Sequence, residues 1–138
     1  MEREAFEKLV EAAMESLPVK FKKLIHNVAV IVEDCAAADT RRSVGAPARS
    51  RILGLYHGVP FQHRGPFYGN LPPDVIVIYQ KPIEEICSTE EEIQEQVRDT
   101  VIHEVGHYFG FSDRELREIE NRNWNRRRQK PRPKSKET

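Results

Sequence analysis

An apolar stripe at helical spacing, three short β-branched runs and two capping-box signatures toward the C-terminal end together make this chain read as an α+β domain. Its sheet should be small and covered by helices. The 138 residues suit one domain with one modest core, and 38% hydrophobic with 32% charged residues is a globular composition with a highly charged surface.

The first helix is expected over residues 3–17. Phe6, Leu9, Val10, Ala13, Met14 and Leu17 fall on one face, and Pro18 stops the run. Residues 27–33 (NVAVIVE) read as a strand. Residues 34–50 lack periodicity, contain Gly45 and Pro47, and read as a long surface loop. Residues 51–56 (RILGLY) look like a second strand. Residues 57–73, dense in Gly, Pro and aromatics, read as a structured loop or edge region, because proline cannot donate to a central ladder. Residues 74–80 (DVIVIYQ) are a third strand, followed by Lys81-Pro82-Ile83. Ser88-Thr-Glu-Glu91 has the capping-box form, so a helix should open there, run through Phe109 and stop at Gly110. Ser112-Asp-Arg-Glu115 repeats the form and opens a last helix over 113–120. The expected order is helix, three or four strands, then two helices, in a domain spanning residues 1–120.

Net charge is zero, with 22 basic and 22 acidic residues, but the balance is uneven. Residues 121–138 hold eight Lys/Arg against one Glu, with two prolines and Trp124 as the sole large apolar side chain. Such a segment buries too little to offset its ordering entropy, so it is expected to be a disordered basic tail. Such a tail serves first as a solubilising segment; weak contact with a polyanion such as nucleic acid is a second use, and docking on the acidic body a third. No apolar run approaches the roughly 20 residues of a spanning helix. The charged N-terminus has no hydrophobic core of a secretory signal. A cytoplasmic protein without membrane contact is therefore expected. Cys35 and Cys87 have no CxxC spacing and read as free thiols.

Residues 103–107 read His-Glu-Val-Gly-His. Two histidines at i and i+4 share a helix face one turn apart, so their imidazoles can converge on one metal ion. The helical wheel puts Gln96, Thr100, His103 and His107 on a polar face, and Ile93, Val97, Val101 and Val105 on an apolar one. HExxH on a helix is a zinc-hydrolase signature, with the histidines as ligands and the glutamate as base. Here it extends to HExxHxxGxxD. Gly110 permits the positive φ of a sharp turn, and Asp113 three residues later could return as a third ligand. Asp113 also stands in the first turn of a helix, where the dipole favours an acid with or without a metal. Two histidines and a carboxylate leave a fourth position open, as catalytic sites do, whereas a structural site would be closed by a fourth protein ligand.

The HExxHxxG stretch resembles metzincin-type metalloproteases, with Asp where they usually carry a third His and with no Met-turn. The chain more closely resembles the bacterial family of minimal zincin-like metallopeptidases, through LGLYHGVPFQHRGPFYGNLPPDVIVIYQKPI and VRDTVIHEVGHYFGFSD, over about residues 51–120. That resemblance implies a zincin-like fold with a short sheet on the active-site helix. It implies one zinc ion on His103, His107 and Asp113, with Glu104 as catalytic base. The family commonly has an acidic residue where this chain has His57.

The expected function is zinc-dependent peptide hydrolysis. His57, His63, Arg64, Tyr68 and Tyr79 are the available oxyanion donors, and the sequence does not choose among them. An extended substrate would pair with a sheet edge near residues 53–64. Two other functions fit parts of the sequence: a metal-binding interaction module without turnover, and a zinc hydrolase acting on RNA, against which Glu104 speaks. Nickel, cobalt or iron could occupy the same ligands.

Overall fold

The structure, a computed structural model, describes residues 1–46, 51–58 and 74–119. Its elements are α1 (Arg3–Glu15), α2 (Val19–Leu24), β1 (Val28–Glu33), α3 (Ala38–Ser43), β2 (Gly54–Gly58), β3 (Asp74–Tyr79), α4 (Gln80–Ile86) and α5 (Glu90–Tyr108), then α6 over residues 113–119. The α+β expectation holds. The strands form one mixed sheet in the order β1-β3-β2, with β1 parallel and β2 antiparallel to β3.

Central position explains the composition of β3. Ile76 and Ile78 are fully buried beneath the helices, and Val77 and Tyr79 on the opposite face are also buried. A strand covered on both faces is continuously apolar, as VIVIY is. The helix-side face meets α1 and α5, the two longest helices. Phe6, Val10 and Ala13 of α1 interlock with Val97, Val101, Ile102 and Val105 of α5, and Phe21 of α2 closes one end.

Several boundaries depart from expectation. The first helix ends at Glu15, and Pro18 does more than stop it. With φ at −56° it caps α2, and its carbonyl accepts from Phe21 and Lys22 N–H. The stretch 34–50 is not all loop, because α3 lies inside it. The second strand is 54–58 rather than 51–56. Lys81-Pro82-Ile83 is helical: Pro82 stands third in α4, within the first turn, where a missing N–H leaves no bond unmade. Thr89, one residue later than expected, caps α5 by accepting from Glu92 N–H at 3.1 Å, while Glu92 accepts from Ser88 N–H at 3.3 Å. Residues 59–73, the C-terminal tail and the boundary at 120 lie outside the described residues.

No helix among the described residues is long and apolar enough to cross a membrane. Cys35 and Cys87 are free thiols.

Phe6 tests whether α1 is integral to the domain. Phe6→Ala should cost about 3–5 kcal/mol, the range for truncating a buried aromatic. Urea unfolding measures it, and a loss below about 1 kcal/mol would show α1 to be peripheral.

Candidate metal centre

The buried valines of α5 hold the helix by one side and leave its other side to carry chemistry. His103 is half-buried and His107 exposed, with ring centroids 6.1 Å apart. After His107 the chain turns back through a Schellman motif. Phe111 N–H donates to Gly106 O at 2.7 Å and Gly110 N–H to His107 O at 3.1 Å, with Gly110 at φ +87°. Ser112 then caps α6 reciprocally: its Oγ accepts from Glu115 N–H, and Glu115 Oε1 accepts from Ser112 N–H, both at 3.1 Å.

The return is close because residue 106 is glycine. A Cβ there would stand 2.2 Å from Cδ2 of Leu116, which is fully buried. With Leu116 seated on Gly106, Asp113 arrives over the histidines, its Oδ1 2.7 Å from His107 Nε2. One donor atom each from His103, His107 and Asp113 lies within 4.8 Å of the others. The contact with His107 holds the Asp113 carboxyl below its usual pKa.

Glu104 is placed by the sheet. Leu53 O accepts from Tyr79 N–H at 2.9 Å, which makes 53/79, 55/77 and 57/75 the hydrogen-bonded pairs of the antiparallel ladder. The backbone groups of residues 54, 56 and 58 therefore point away from β3. The Tyr56 N–H is bonded to the Glu104 carboxylate. Burial raises the Glu104 pKa above the ordinary value, and that hydrogen bond, with His107, His103 and His57, partly offsets the rise. Tyr56 also stacks on Tyr108, with centroids 4.0 Å apart, and donates its hydroxyl to the buried Asp74 at 2.6 Å. On either side of Tyr56, Gly54 meets Thr100 and Gly58 meets the Tyr108 ring. A Cβ at these glycines would lie 2.8 Å and 2.1 Å from those side chains.

The sequence-predicted site residues thus come together. Two readings need correction. Thr100 is 7% exposed, turned toward Gly54 rather than solvent. Tyr79 is buried in the sheet at 2% exposure and cannot serve as an oxyanion donor. His57 is exposed on β2; His63, Arg64 and Tyr68 lie outside the described residues. Sequence reasoning missed Tyr56 and Gly106. A glycine inside an otherwise strong helix costs about 1 kcal/mol against alanine, which is itself a signal that something packs there.

Neutral imidazoles and a carboxylate are the donors of hydrolytic zinc sites. Ligands about 2.0–2.2 Å from a tetrahedral ion stand roughly 3.5 Å apart, so these three side chains fit such an ion. A short mixed sheet resting on a helix that carries paired histidines defines a zincin-like fold. The chain belongs to the zincin-like metallopeptidase family, whose model matches residues 25–124. No curated protein matches it. Among solved structures it is similar to a conserved hypothetical protein from Thermus thermophilus. The TM-score is 0.53 at 24% identity, over 78% of this chain and 94% of that one, a likeness of fold.

Gly106→Ala sets two effects against each other. Helix propensity favours alanine by about 1 kcal/mol, whereas crowding a packed contact costs about 1–3 kcal/mol. Leu116 is fully buried, so displacing it disturbs the core and the variant should be less stable in urea. Leu116→Ala should remove the penalty of the added methyl, read as coupling in a double-mutant cycle.

Proposed function

We propose that the protein is a zinc-dependent metallopeptidase. The observation that carries this reading is the convergence of His103, His107 and Asp113 beside a glutamate that none of them needs as a ligand. Those three side chains would hold the ion. Zinc bound there supplies Lewis acidity, polarising a carbonyl oxygen and lowering the pKa of water toward about 7.

Glu104 is the general base and then the general acid. Its carboxylate accepts a proton from the attacking water and returns it to the leaving amine. Partial burial raises its affinity for the proton it must carry, and the Tyr56 N–H fixes the carboxylate's orientation. Tyr56 and Gly58 offer their remaining outward backbone groups to an extended peptide, since β2 is an edge strand among the described residues. His57 projects from the same strand, exposed, as a candidate donor to the oxyanion.

Ligand and base roles separate in two variants. Glu104→Gln should keep about one zinc per chain and lose about 10²–10⁴ in hydrolysis rate. His107→Ala should lose the zinc. Metal analysis beside a peptide-cleavage assay reads both, and a Glu104→Gln protein that cleaves as fast as the parent chain sinks the reading.

A further inference from the structure

The helix side of the sheet is covered unevenly. Val30 and Val32 of β1 lie in register with Ile76 and Ile78 of β3 and share their face. The two isoleucines are fully buried, whereas the valines are only half-buried. α1 turns Phe6, Val10 and Ala13 into the core. Between its flank and β1 a cavity of about 790 Å³ stays open, floored by Val30, Val32 and Met14.

The wall of this groove is acidic. Glu7, Glu11 and Glu15 recur every four residues along α1, all exposed, with Lys8 the one base beside them in the lining. None of the three carboxylates stands in an ion pair among the described residues. An apolar floor under an acidic wall suits a cationic segment with one large apolar side chain. Residues 121–138 have that composition, with Trp124 just ahead of Arg126-Arg127-Arg128. They also begin at the right end of the domain. Phe111 lies 5.9 Å from Phe21 and under Lys20 Nζ at 4.7 Å, so α6 opens beside α2, next to the C-terminal end of α1. Residues 120–138 reach up to about 60 Å, and Glu7 to Glu15 covers about 12 Å.

We propose that residues 121–138 dock in this groove of their own chain, with Trp124 on Met14 and Val30 and the following arginines along Glu11 and Glu7. The proposal is independent of the peptidase reading. Arg3, the first residue of α1, donates to Val32 O at 2.8 Å, so β1 runs against α1 and Val30 lies toward Met14. A chain entering past Glu15 meets that pair first. Tryptophan buries about 150–250 Å², and a methionine sulfur favours an aromatic ring. Exposed ion pairs add little singly and are screened by salt. Tethering raises the local concentration to about 1 mM, so a contact of only about 0.1 mM intrinsic affinity is about nine-tenths formed.

Trp124 is the chain's one tryptophan, so the fluorescence of the full chain reports it alone. Its emission should lie to the blue of the urea-unfolded chain's, with acrylamide quenching several-fold weaker. Glu7→Gln, Glu11→Gln and Glu15→Gln together should weaken docking about tenfold and bring quenching about halfway to the unfolded value. Circular dichroism should show the fold of that variant unchanged. Trp124→Ala, in the full chain labelled at Met and Val methyls, should shift the Met14, Val30 and Val32 resonances through loss of the ring current. A Trp124 as open to quencher in the folded chain as in urea overturns the proposal and leaves the groove to another cationic partner. Protection that the glutamine variant does not change overturns it too. Methyl shifts confined to other residues place the segment elsewhere and overturn the groove. Protection lost on dilution overturns docking within one chain and points to exchange between two copies.

Discussion

A strand advances about 6.8 Å in two residues and a helix about 6 Å in four. This near-match lets α5 follow β2 for two helical turns. Gly54, Tyr56 and Gly58 take Thr100, Glu104 and Tyr108 as their partners, two residues against four. The glycines let helix and strand come within contact, and the Tyr56–Tyr108 stack sets the spacing where a side chain is present. Everything at the site inherits its position from this register. A one-residue slip of β2 would turn its backbone groups toward the wrong side, leave Glu104 without the Tyr56 N–H, and put side chains where Gly54 and Gly58 must have none.

The second half of the site depends on a shorter piece of chain. Between Gly106 and Leu116 the backbone caps one helix, reverses and caps the next through hydrogen bonds between near neighbours in sequence. The closest contact in it is that of Leu116 with the bare backbone of Gly106, and Phe111 packs beside Phe21. Charge is handled by exposure. Asp113 and His107 stand in solvent, so no large desolvation cost must be offset before the three donors can meet. Glu104 is the exception. It is partly buried, and its environment of one backbone donor and three histidines compensates only in part, which leaves a carboxylate more willing to hold a proton than a surface one.

Legibility followed periodicity. α1, α5 and the capping box at Ser112 were readable because each spans enough turns, or a specific enough signature, to stand out. α2, α3 and α4 were not, since six or seven residues give fewer than two turns of pattern. Pro18 was read as a break and the stretch around Pro82 was given no element, yet both prolines stand where a helix begins, the place a missing N–H does no harm. β2 begins three residues later than expected and takes in Gly58, which was read with the Gly/Pro-rich region; Gly54 and Gly58 are the positions of closest approach to α5. Thr100 went to the polar face for a related reason. A helical wheel distributes residues by angle and is blind to a strand lying over one sector of the polar side.

The same division runs through the site. His103, Glu104, His107 and Asp113 come from residues 103–113, a single contiguous stretch. Helix geometry alone brings the two histidines together, and a local turn delivers Asp113. Such chemistry is visible to anyone reading along the chain. The setting of that stretch against the sheet is assembled differently. It needs β2 and α5, separated by some 40 residues and brought into contact by β3 and the core. No spacing rule connects Gly54 to Thr100 or Tyr56 to Glu104. Those pairs exist because Phe6, Ile76, Ile78 and Val101 bury one another and so fix where α5 crosses the sheet. The cluster at residues 103–113 is thus a property of the motif, and its place against β2 is a property of the core.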